Sequence, residues 1–476
     1  MDKGSLPLRE SHIYGVFSSR FVLEGMRLRP KVGFITLGKA PWVAEENVEG
    51  LRGDALSAIR KQPLDLCVVD GIPYSVDEVM EAAKLLRRED VDAVLVFHAD
   101  WTYGELYCVL AKELSEYPMI QWAIYGSPKS VIPLPGLFES AGNMMRLGKR
   151  FFYVIGDPNK KDTVERIFKL ANAAAVAKKL RRSIVGIAGA SNLGMTDTAF
   201  SEFHIRRLVP GLLHLDTSEL LNSFEKADEN EARKVAKGLS RKVGKIEVSE
   251  EELITAVRGY LAMKAMVKKY RLDALTIREW PEVPIKEFTM SLGCALLSEE
   301  GKVAVSESDI SSTVTWLILK LLAEKPVWVG EFESVDLEKN SALLLHNCEA
   351  PFDLARSHEE ITLTNTGFVE WFRGKKGGVN VQLELKPGRV TIAKISGRPI
   401  DDKIKAIVTS GEVMRSPKPP SRGTTRAYVK FDTPLKTLID TWVKEGFEHH
   451  MLLAYADVKE EISALCDLLD IEKIVV

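Results

Sequence analysis

Short apolar runs alternate with longer amphipathic stretches along the first third of the chain. KVGFITLG, LDLCVVDG, VDAVLVFHA and MIQWAIYG have the length and the β-branched content of buried strands. Between two of them, SVDEVMEAAKLLRRE has helical spacing, and Ser75 followed by Glu78 predicts a capping box at its start. Buried strands separated by helices indicate a doubly wound parallel sheet, so residues 31–178 are predicted to form a first α/β domain.

The same alternation continues over residues 179–350. SIVGIAGA, GLLHLDTSE, LDALTIREW and VAVSE are predicted strands separated by helical segments. In the last of these helices, SSTVTWLILKLLAE, the residues Ile310, Val314, Leu317 and Leu321 recur at helical spacing and predict a side that faces the core. The pattern therefore predicts a second doubly wound domain.

After residue 351 the pattern changes to short strands with turn residues between them. EITLTNTG, GVNVQLELKPGRVTIAKISG, KIKAIVTSGEVM and RAYVKFD predict an all-β barrel or sandwich over residues 351–476, which ends in a strand–helix–strand unit. Residues 1–30 show neither pattern and are predicted to be a disordered lead-in.

Composition excludes several classes of protein. The chain has 476 residues, a net charge of −2 and no basic stripe, which argues against nucleic-acid binding. The N-terminus lacks an apolar run of the length of a signal peptide or a membrane span. The 5 cysteines include no C-x-x-C pair, as is typical of free thiols in a reducing compartment. We therefore expect a cytoplasmic protein without a membrane partner.

Unusual polar residues follow several apolar strands in the second half of the chain. Glu307 ends VAVSE, Glu331 follows PVWVG, His346 ends SALLLH, and the pair His449 and His450 precedes MLLAYA. Each of them alone has an ordinary explanation, as a helix cap or as a core or surface histidine. Together they predict one site, because sites in open α/β sheets form at the carboxyl ends of strands.

The residue types in this set indicate a divalent metal ion. Carboxylates with imidazole favour Mn²⁺ or Co²⁺, and Mg²⁺ is the alternative where oxygen ligands dominate. Cys348 lies close to His346, but no second cysteine is near enough in sequence to support zinc. Asp309 is expected to cap the helix that follows it and to assist the site. The segment GIAGASNLG departs from G-x-G-x-x-G, so a dinucleotide cofactor is not expected.

The segments IREWPE, GCALLSEEGKVAVSESDISSTVTWLILKLLAEKPVWVGEF, LLLHNCEAP and HHMLLAYAD occur in an order that resembles the L-fucose isomerase and L-arabinose isomerase family. The resemblance is strongest over residues 277–351 and 446–458. It implies two doubly wound domains followed by a β-barrel, and an aldose–ketose isomerase, which is an intramolecular oxidoreductase. It also implies a fucose-like or arabinose-like free sugar, an enediolate mechanism, Mn²⁺, and a homo-oligomer, trimeric or hexameric, whose subunits complete each other's sites.

The resemblance also assigns residues. Glu307 and Glu331 match the two metal-binding carboxylates and are expected to serve as acid and base. His450 matches the C-terminal metal histidine, and His346 matches a ligand of the arabinose-type enzymes that the fucose type lacks. FHADWTYGE matches a segment that contacts the substrate or the neighbouring subunit. The residues expected to bind the substrate are His98, Trp101, Asp309 and His449.

Two other functions stay open at this point. Two doubly wound domains with a cleft between them also describe a non-catalytic sugar-binding or regulatory protein. Another metal-assisted sugar enzyme, an epimerase or an aldolase, would use the same residue types. Glu331 stands where the fucose type has aspartate, so the sugar remains open.

Overall fold

The computed structural model describes residues 28–38, 45–126, 131–198, 201–347, 349–417 and 421–476. Nearly all of the predicted lead-in lies outside this part of the chain, and so does Cys348.

The first sheet has five parallel strands in the order β2-β1-β3-β4-β5. Its elements are β1 (Lys31–Leu37), α1 (Glu45–Ile59), β2 (Asp65–Val68), α2 (Val76–Arg88), β3 (Ala93–His98), α3 (Gly104–Glu113), β4 (Met119–Ala123), α4 (Pro133–Arg146), β5 (Phe152–Ile155) and α5 (Lys161–Arg181). β1 pairs with both β2 and β3, as a doubly wound sheet requires. The predicted capping box is confirmed, because Ser75 and Glu78 each bond the other's backbone N–H at the start of α2.

The central sheet has four parallel strands in the order β10-β9-β6-β7. The elements of this region are β6 (Ile184–Ala188), α6 (Glu202–Leu208), β7 (Gly211–Leu215), α7 (Thr217–Glu225), α8 (Glu229–Leu239), β8 (Lys245–Ile246), α9 (Glu250–Tyr270), β9 (Ala274–Ile277), α10 (Glu282–Ile285), α11 (Met290–Glu299), β10 (Val303–Val305) and α12 (Ile310–Ala323). On α12, Val314 and Leu317 are buried as predicted, and Ile310 and Leu321 are partly buried against the same core. The predicted second parallel sheet is therefore present.

The remaining chain builds a closed barrel. Its elements are β11 (Val327–Asp336), β12 (Ser341–His346), β13 (Thr362–Thr364), α13 (Gly367–Arg373), β14 (Asn380–Glu384), β15 (Gly388–Arg398), β16 (Lys403–Met414), β17 (Thr425–Phe431), α14 (Leu435–Glu445), β18 (Met451–Ala454), α15 (Lys459–Leu469) and β19 (Glu472–Ile474). Six antiparallel strands close in the order β16-β15-β18-β11-β12-β17, and β17 pairs back to β16. This confirms a barrel rather than a sandwich.

Two strands lie in a different sheet from the one expected. The sequence pattern places β11 and β12 with the central parallel strands, but they pair antiparallel with each other and belong to the barrel. A short apolar run is equally compatible with a buried parallel strand and a barrel strand, so periodicity does not distinguish them. The domain boundaries themselves remain a prediction.

Helix α12 connects the central sheet to the barrel. It follows β10 directly and packs against β15 and β18. The backbone N–H of Ile395 on β15 donates to Thr315 Oγ1 on α12 at 3.1 Å. The start of α12 is thus held between the carboxyl edge of the central sheet and the barrel.

Among the residues that the structure describes, none of the helices combines the length and the apolar character needed to span a membrane.

Candidate metal centre

A strained turn joins β10 to α12 and carries Glu307. Glu307 and Ser308 have φ of 67° and 55°, in the left-handed region that costs a non-glycine residue about 1–3 kcal/mol. The turn is held by neighbouring strand ends: Ser308 N donates to Ile277 O at 3.0 Å, and Ser308 Oγ donates to Ala190 O at 2.8 Å. Because such strain persists only where surrounding contacts enforce it, the turn is typical of a functional site.

Three side chains converge beside this turn. The Nε2 atoms of His346 and His450 lie 3.1 Å apart, and Glu307 Oε2 lies 3.7 Å and 3.4 Å from them. The side chains are 3%, 3% and 8% exposed. Within the described part of the chain, Glu307 Oε2 has no hydrogen-bond partner. These three donor atoms are close enough to bind one metal ion.

Asp309 has two roles in the same place. It caps α12 as predicted, because its Oδ1 accepts from Ser312 N at 2.8 Å. Its Oδ2 lies 2.8 Å from His450 Nδ1. This contact places the hydrogen on Nδ1 and leaves the lone pair of Nε2 directed at the cluster, as in metal sites where a carboxylate orients a histidine ligand. Burial opposes ionisation of Asp309, but Lys394 and His450 keep its pKa well below the ordinary value.

The two histidines of the cluster differ in proton affinity. Burial lowers the pKa of His450 below its ordinary value, despite its contact with Asp309. Burial also acts against the charge of His346, but the adjacent Glu307 and the nearby Glu349 raise its pKa to about 9. Burial would raise the pKa of Glu307, but its interaction with His346 lowers it. His346 therefore has the higher proton affinity of the two, and its Nε2 lies within hydrogen-bonding distance of His450 Nε2.

The donor set fits a divalent cation. It offers two imidazole nitrogens, one of them oriented by a carboxylate, and a buried carboxylate oxygen that lacks a hydrogen-bond partner in the described chain. A cation bound between them would satisfy all three donor atoms.

A second group lies on the solvent side. Glu331 on β11 stands opposite Leu345 in the barrel, and its Oε2 is 3.9 Å from His449 Nε2. His449 Nδ1 is 2.5 Å from Asp197 Oδ2, in the loop after β6. Glu331 and His449 are 34% and 37% exposed, and with His450 they form a second set of neighbouring donor atoms. The barrel thus brings Glu331 and His449 beside His450, which also belongs to the first cluster.

His98 and Trp101 belong to the first domain. His98 ends β3, is fully buried, and its Nε2 lies 2.5 Å from Gln121 Oε1. Burial lowers its pKa to about 4, so the ring is neutral. Trp101 Nε1 donates to Glu139 Oε2 at 2.5 Å. Neither residue is part of the two groups around His450, and their predicted role in substrate binding stays a prediction.

Sequence reasoning missed three buried ionisable residues near the cluster. Glu349 accepts from Ser306 N at 3.2 Å and from Ser306 Oγ at 3.0 Å, and so holds the turn that carries Glu307. Burial raises its pKa. Lys394 and Glu448 lie behind Asp309, with Lys394 Nζ 3.8 Å from Glu448 Oε2. A detectable signal exists for the lysine, since it interrupts the apolar run VTIAKIS and lysine is rarely buried unless paired.

A cavity of about 610 Å³ opens at the carboxyl edge of the central sheet. Ser308 and Ile310, which flank the start of α12, form part of its wall. The other polar residues of the wall are Ser191, Thr198, Glu202, His214, Asp216 and Thr217. The volume is within the range of small-molecule sites.

Curated relatives match nearly the whole chain. It is 26% identical to sulfoquinovose isomerase from Priestia aryabhattai over 452 residues, which cover 90% of this chain and 93% of that protein. Sulfoquinovose isomerase from Alkalicoccus urumqiensis is 25% identical over 444 residues, covering 86% and 93%. No family model matches the chain.

Among solved structures, a periplasmic solute-binding protein of an ABC transporter from Actinobacillus succinogenes with bound D-allose aligns with 62% of this chain and 92% of its own. The sequence identity is 11%. Its TM-score of 0.17 is too low to support an argument about fold or function.

The curated relatives confirm the predicted enzyme class: the chain is an isomerase, an intramolecular oxidoreductase. They support the resemblance to the fucose and arabinose isomerases as far as aldose–ketose isomerisation.

Proposed function

We propose that this isomerase depends on Mn²⁺ and converts a free aldose to its ketose. One observation carries the proposal: Glu307 Oε2 and the Nε2 atoms of His346 and His450 lie within 3.7 Å of one another. A buried carboxylate oxygen with no hydrogen-bond partner in the described chain is costly. A bound cation would remove that cost and would explain why the turn is strained.

The mixture of donors supports the choice of metal. Two imidazoles with the carboxylate of Glu307 favour Mn²⁺ or Co²⁺ over Mg²⁺, which prefers oxygen ligands. When bound, such an ion would supply a Lewis acid that stabilises negative charge developing on the sugar.

Proton transfer is assigned to the carboxylates of the site. Isomerisation moves a proton from C2 to C1 of the sugar through an enediolate, while a second proton moves from O2 to O1. Glu331 is partly exposed and has space to move, so it is the better base, while Glu307 stays with the buried donors. His449, held at Nδ1 by Asp197, can hydrogen-bond a sugar hydroxyl through Nε2.

Sulfoquinovose is our first candidate substrate because the relatives are named sulfoquinovose isomerase. It is glucose with a sulfonate in place of the 6-hydroxyl, and the reaction at C1 and C2 leaves that end unchanged. L-Fucose and L-arabinose, which follow from the family resemblance, are the other candidates. The hydroxyl, carboxylate and imidazole groups that line the cavity suit a polyhydroxylated ligand.

The test is a metal-reconstitution assay. The protein is stripped with a chelator, reloaded with Mn²⁺, Co²⁺ or Mg²⁺, and assayed for ketose formation from sulfoquinovose, L-fucose and L-arabinose. We expect Mn²⁺-dependent turnover that Glu307→Gln abolishes. Glu338→Gln, in the exposed turn after β11, is the matched control and should retain full activity.

Other products would change the conclusion. An epimeric aldose or a cleaved sugar would replace the isomerase proposal by an epimerase or an aldolase. Sugar binding without turnover in any metal form would favour a binding protein. Activity that survives complete metal removal would contradict the metal centre.

A further inference from the structure

Lys394 lies in an unusual place for a lysine. It is on β15 with a side chain that is 0% exposed, inside the contact between the barrel and α12. Its Nζ donates to Ser312 Oγ at 2.8 Å and lies 3.5 Å from Asp309 Oδ2. Burying an ammonium group is expensive unless charged and polar partners compensate for the lost water.

Helix α12, which packs beside Lys394, does not explain why a lysine is buried there. The N-terminus of α12 carries partial positive charge, so a lysine there is electrostatically unfavourable. Two buried carboxylates do explain it, because Asp309 Oδ2 and Glu448 Oε2 lie within 3.8 Å of Nζ. The positive charge therefore serves these carboxylates rather than the helix.

A continuous series of contacts leads from Lys394 to the metal cluster. Ser312 Oγ, which accepts from Lys394, donates to Asp309 Oδ2 at 2.5 Å. The same Oδ2 lies 2.8 Å from His450 Nδ1. His450 Nε2 then faces Glu307 and His346. A lysine on a barrel strand is thus connected to a metal donor by hydrogen-bonded side chains.

We propose that Lys394 is a positioning residue of the metal centre. Its ammonium group, with Ser312, holds the Asp309 carboxylate against His450 Nδ1 and so keeps His450 Nε2 directed at the cluster. This inference rests on the proposed metal centre. It adds a separate claim, that a residue without contact to the cation contributes to the affinity of the site for that cation.

The test measures Mn²⁺ affinity of the metal-stripped protein, with free Mn²⁺ detected by electron paramagnetic resonance. Lys394→Met removes the charge and keeps most of the side-chain volume. We expect the dissociation constant for Mn²⁺ to rise roughly tenfold or more, as for other residues that orient metal ligands.

Lys405→Met is the matched control. Lys405 is 1% exposed on the adjacent strand β16, but its Nζ donates to Glu445 O and lies over the ring of Phe447. We expect this variant to keep the wild-type affinity. Equal weakening in both variants would mean general damage to the barrel and would overturn the proposal.

A double-mutant cycle with Asp309→Asn separates positioning from packing. If Lys394 acts through Asp309, Lys394→Met should cause no further loss of affinity once Asp309 is replaced. Additive losses would overturn the proposal. If Lys394→Met does not fold, Ser312→Ala takes its place in the cycle and should also weaken binding; unchanged affinity would count against the proposal.

The result distinguishes two failures. A wild-type protein that does not bind Mn²⁺ would overturn the metal centre and this inference together. Tight and equal binding by wild type and Lys394→Met would overturn only the role of Lys394.

Discussion

The site has a buried half and an exposed half, which meet at adjacent histidines. His450 is 3% exposed and faces Glu307 and His346, whereas His449 is 37% exposed and faces Glu331. Their ring centroids are only 4.0 Å apart. Each ring has its own carboxylate on Nδ1, buried Asp309 for His450 and partly exposed Asp197 for His449.

This difference in burial suggests different roles for the two halves. In the buried half, water does not compete for the donor atoms and the surrounding packing holds them in place, which suits a bound cation. In the exposed half, side chains have room to move and protons can exchange with solvent, which suits acid–base chemistry. We therefore expect variants of the two halves to affect different measured quantities.

Among the variants that distinguish the two halves, the largest expected effect is on turnover in Glu331→Gln. The variant removes the proposed base, so we expect kcat to fall by about 10²- to 10⁴-fold. Mn²⁺ affinity should change by less than about tenfold, because the buried donors remain. Steady-state kinetics and Mn²⁺ titration measure the two quantities, with Glu338→Gln as the control. A parallel collapse of both would place Glu331 in the buried half.

Next in size is the effect on metal affinity in His450→Ala. This variant removes a proposed ligand, and we expect the dissociation constant for Mn²⁺ to rise by at least about 100-fold. His449→Ala, one position earlier, is the matched comparison and should retain Mn²⁺ while losing turnover. Similar Mn²⁺ loss in both variants would show that the two histidines belong to one coordination shell.

Much of the fold could be predicted from the sequence because its signals are local. Apolar strand runs, helical spacing and the Ser75–Glu78 capping box each depend on a few neighbouring residues, and all of them are present. Which sheet a strand joins depends instead on partner strands that are far away in the sequence. For that reason β11 and β12 were expected with the parallel strands, whereas both pair in the barrel.

The same contrast between local signals and contacts of distant segments applies to the site. Glu307, His346 and His450 were predicted from the family resemblance together with their places beside strands, and they converge. Lys394 and Glu448 were missed because their pairing with Asp309 arises only when the barrel packs on α12. Their signal in the sequence is an ionisable residue within a segment that is buried in the fold. That signal can be interpreted only once the partner of the residue is known.

The pH dependence of Mn²⁺ binding tests whether His346 in the buried half carries a proton before the metal binds. The pKa of His346 is raised to about 9, so below that pH a proton must leave before a cation can bind. Apparent Mn²⁺ affinity should therefore rise about tenfold per pH unit from about pH 7 and level off above about pH 9.

Titration calorimetry in buffers of different ionisation enthalpy measures the released proton directly. His346→Ala should remove most of this pH dependence. A flat profile in the wild type would mean that His346 is already neutral in the metal-free protein.

The smallest expected effect is that of Asp197→Asn. Asp197 holds His449 Nδ1 at 2.5 Å, but the pair is 48% and 37% exposed, so water can replace part of the contact. An exposed pair of this kind is worth about 1 kcal/mol or less, and kcat/KM should fall by no more than about fivefold. Mn²⁺ affinity should stay unchanged. Asp309→Asn makes the same chemical change behind the buried histidine, and it should weaken Mn²⁺ binding by roughly tenfold or more. If Asp197→Asn weakened Mn²⁺ binding as strongly as Asp309→Asn, both carboxylates would support metal ligands, and exposure would not separate binding from proton transfer.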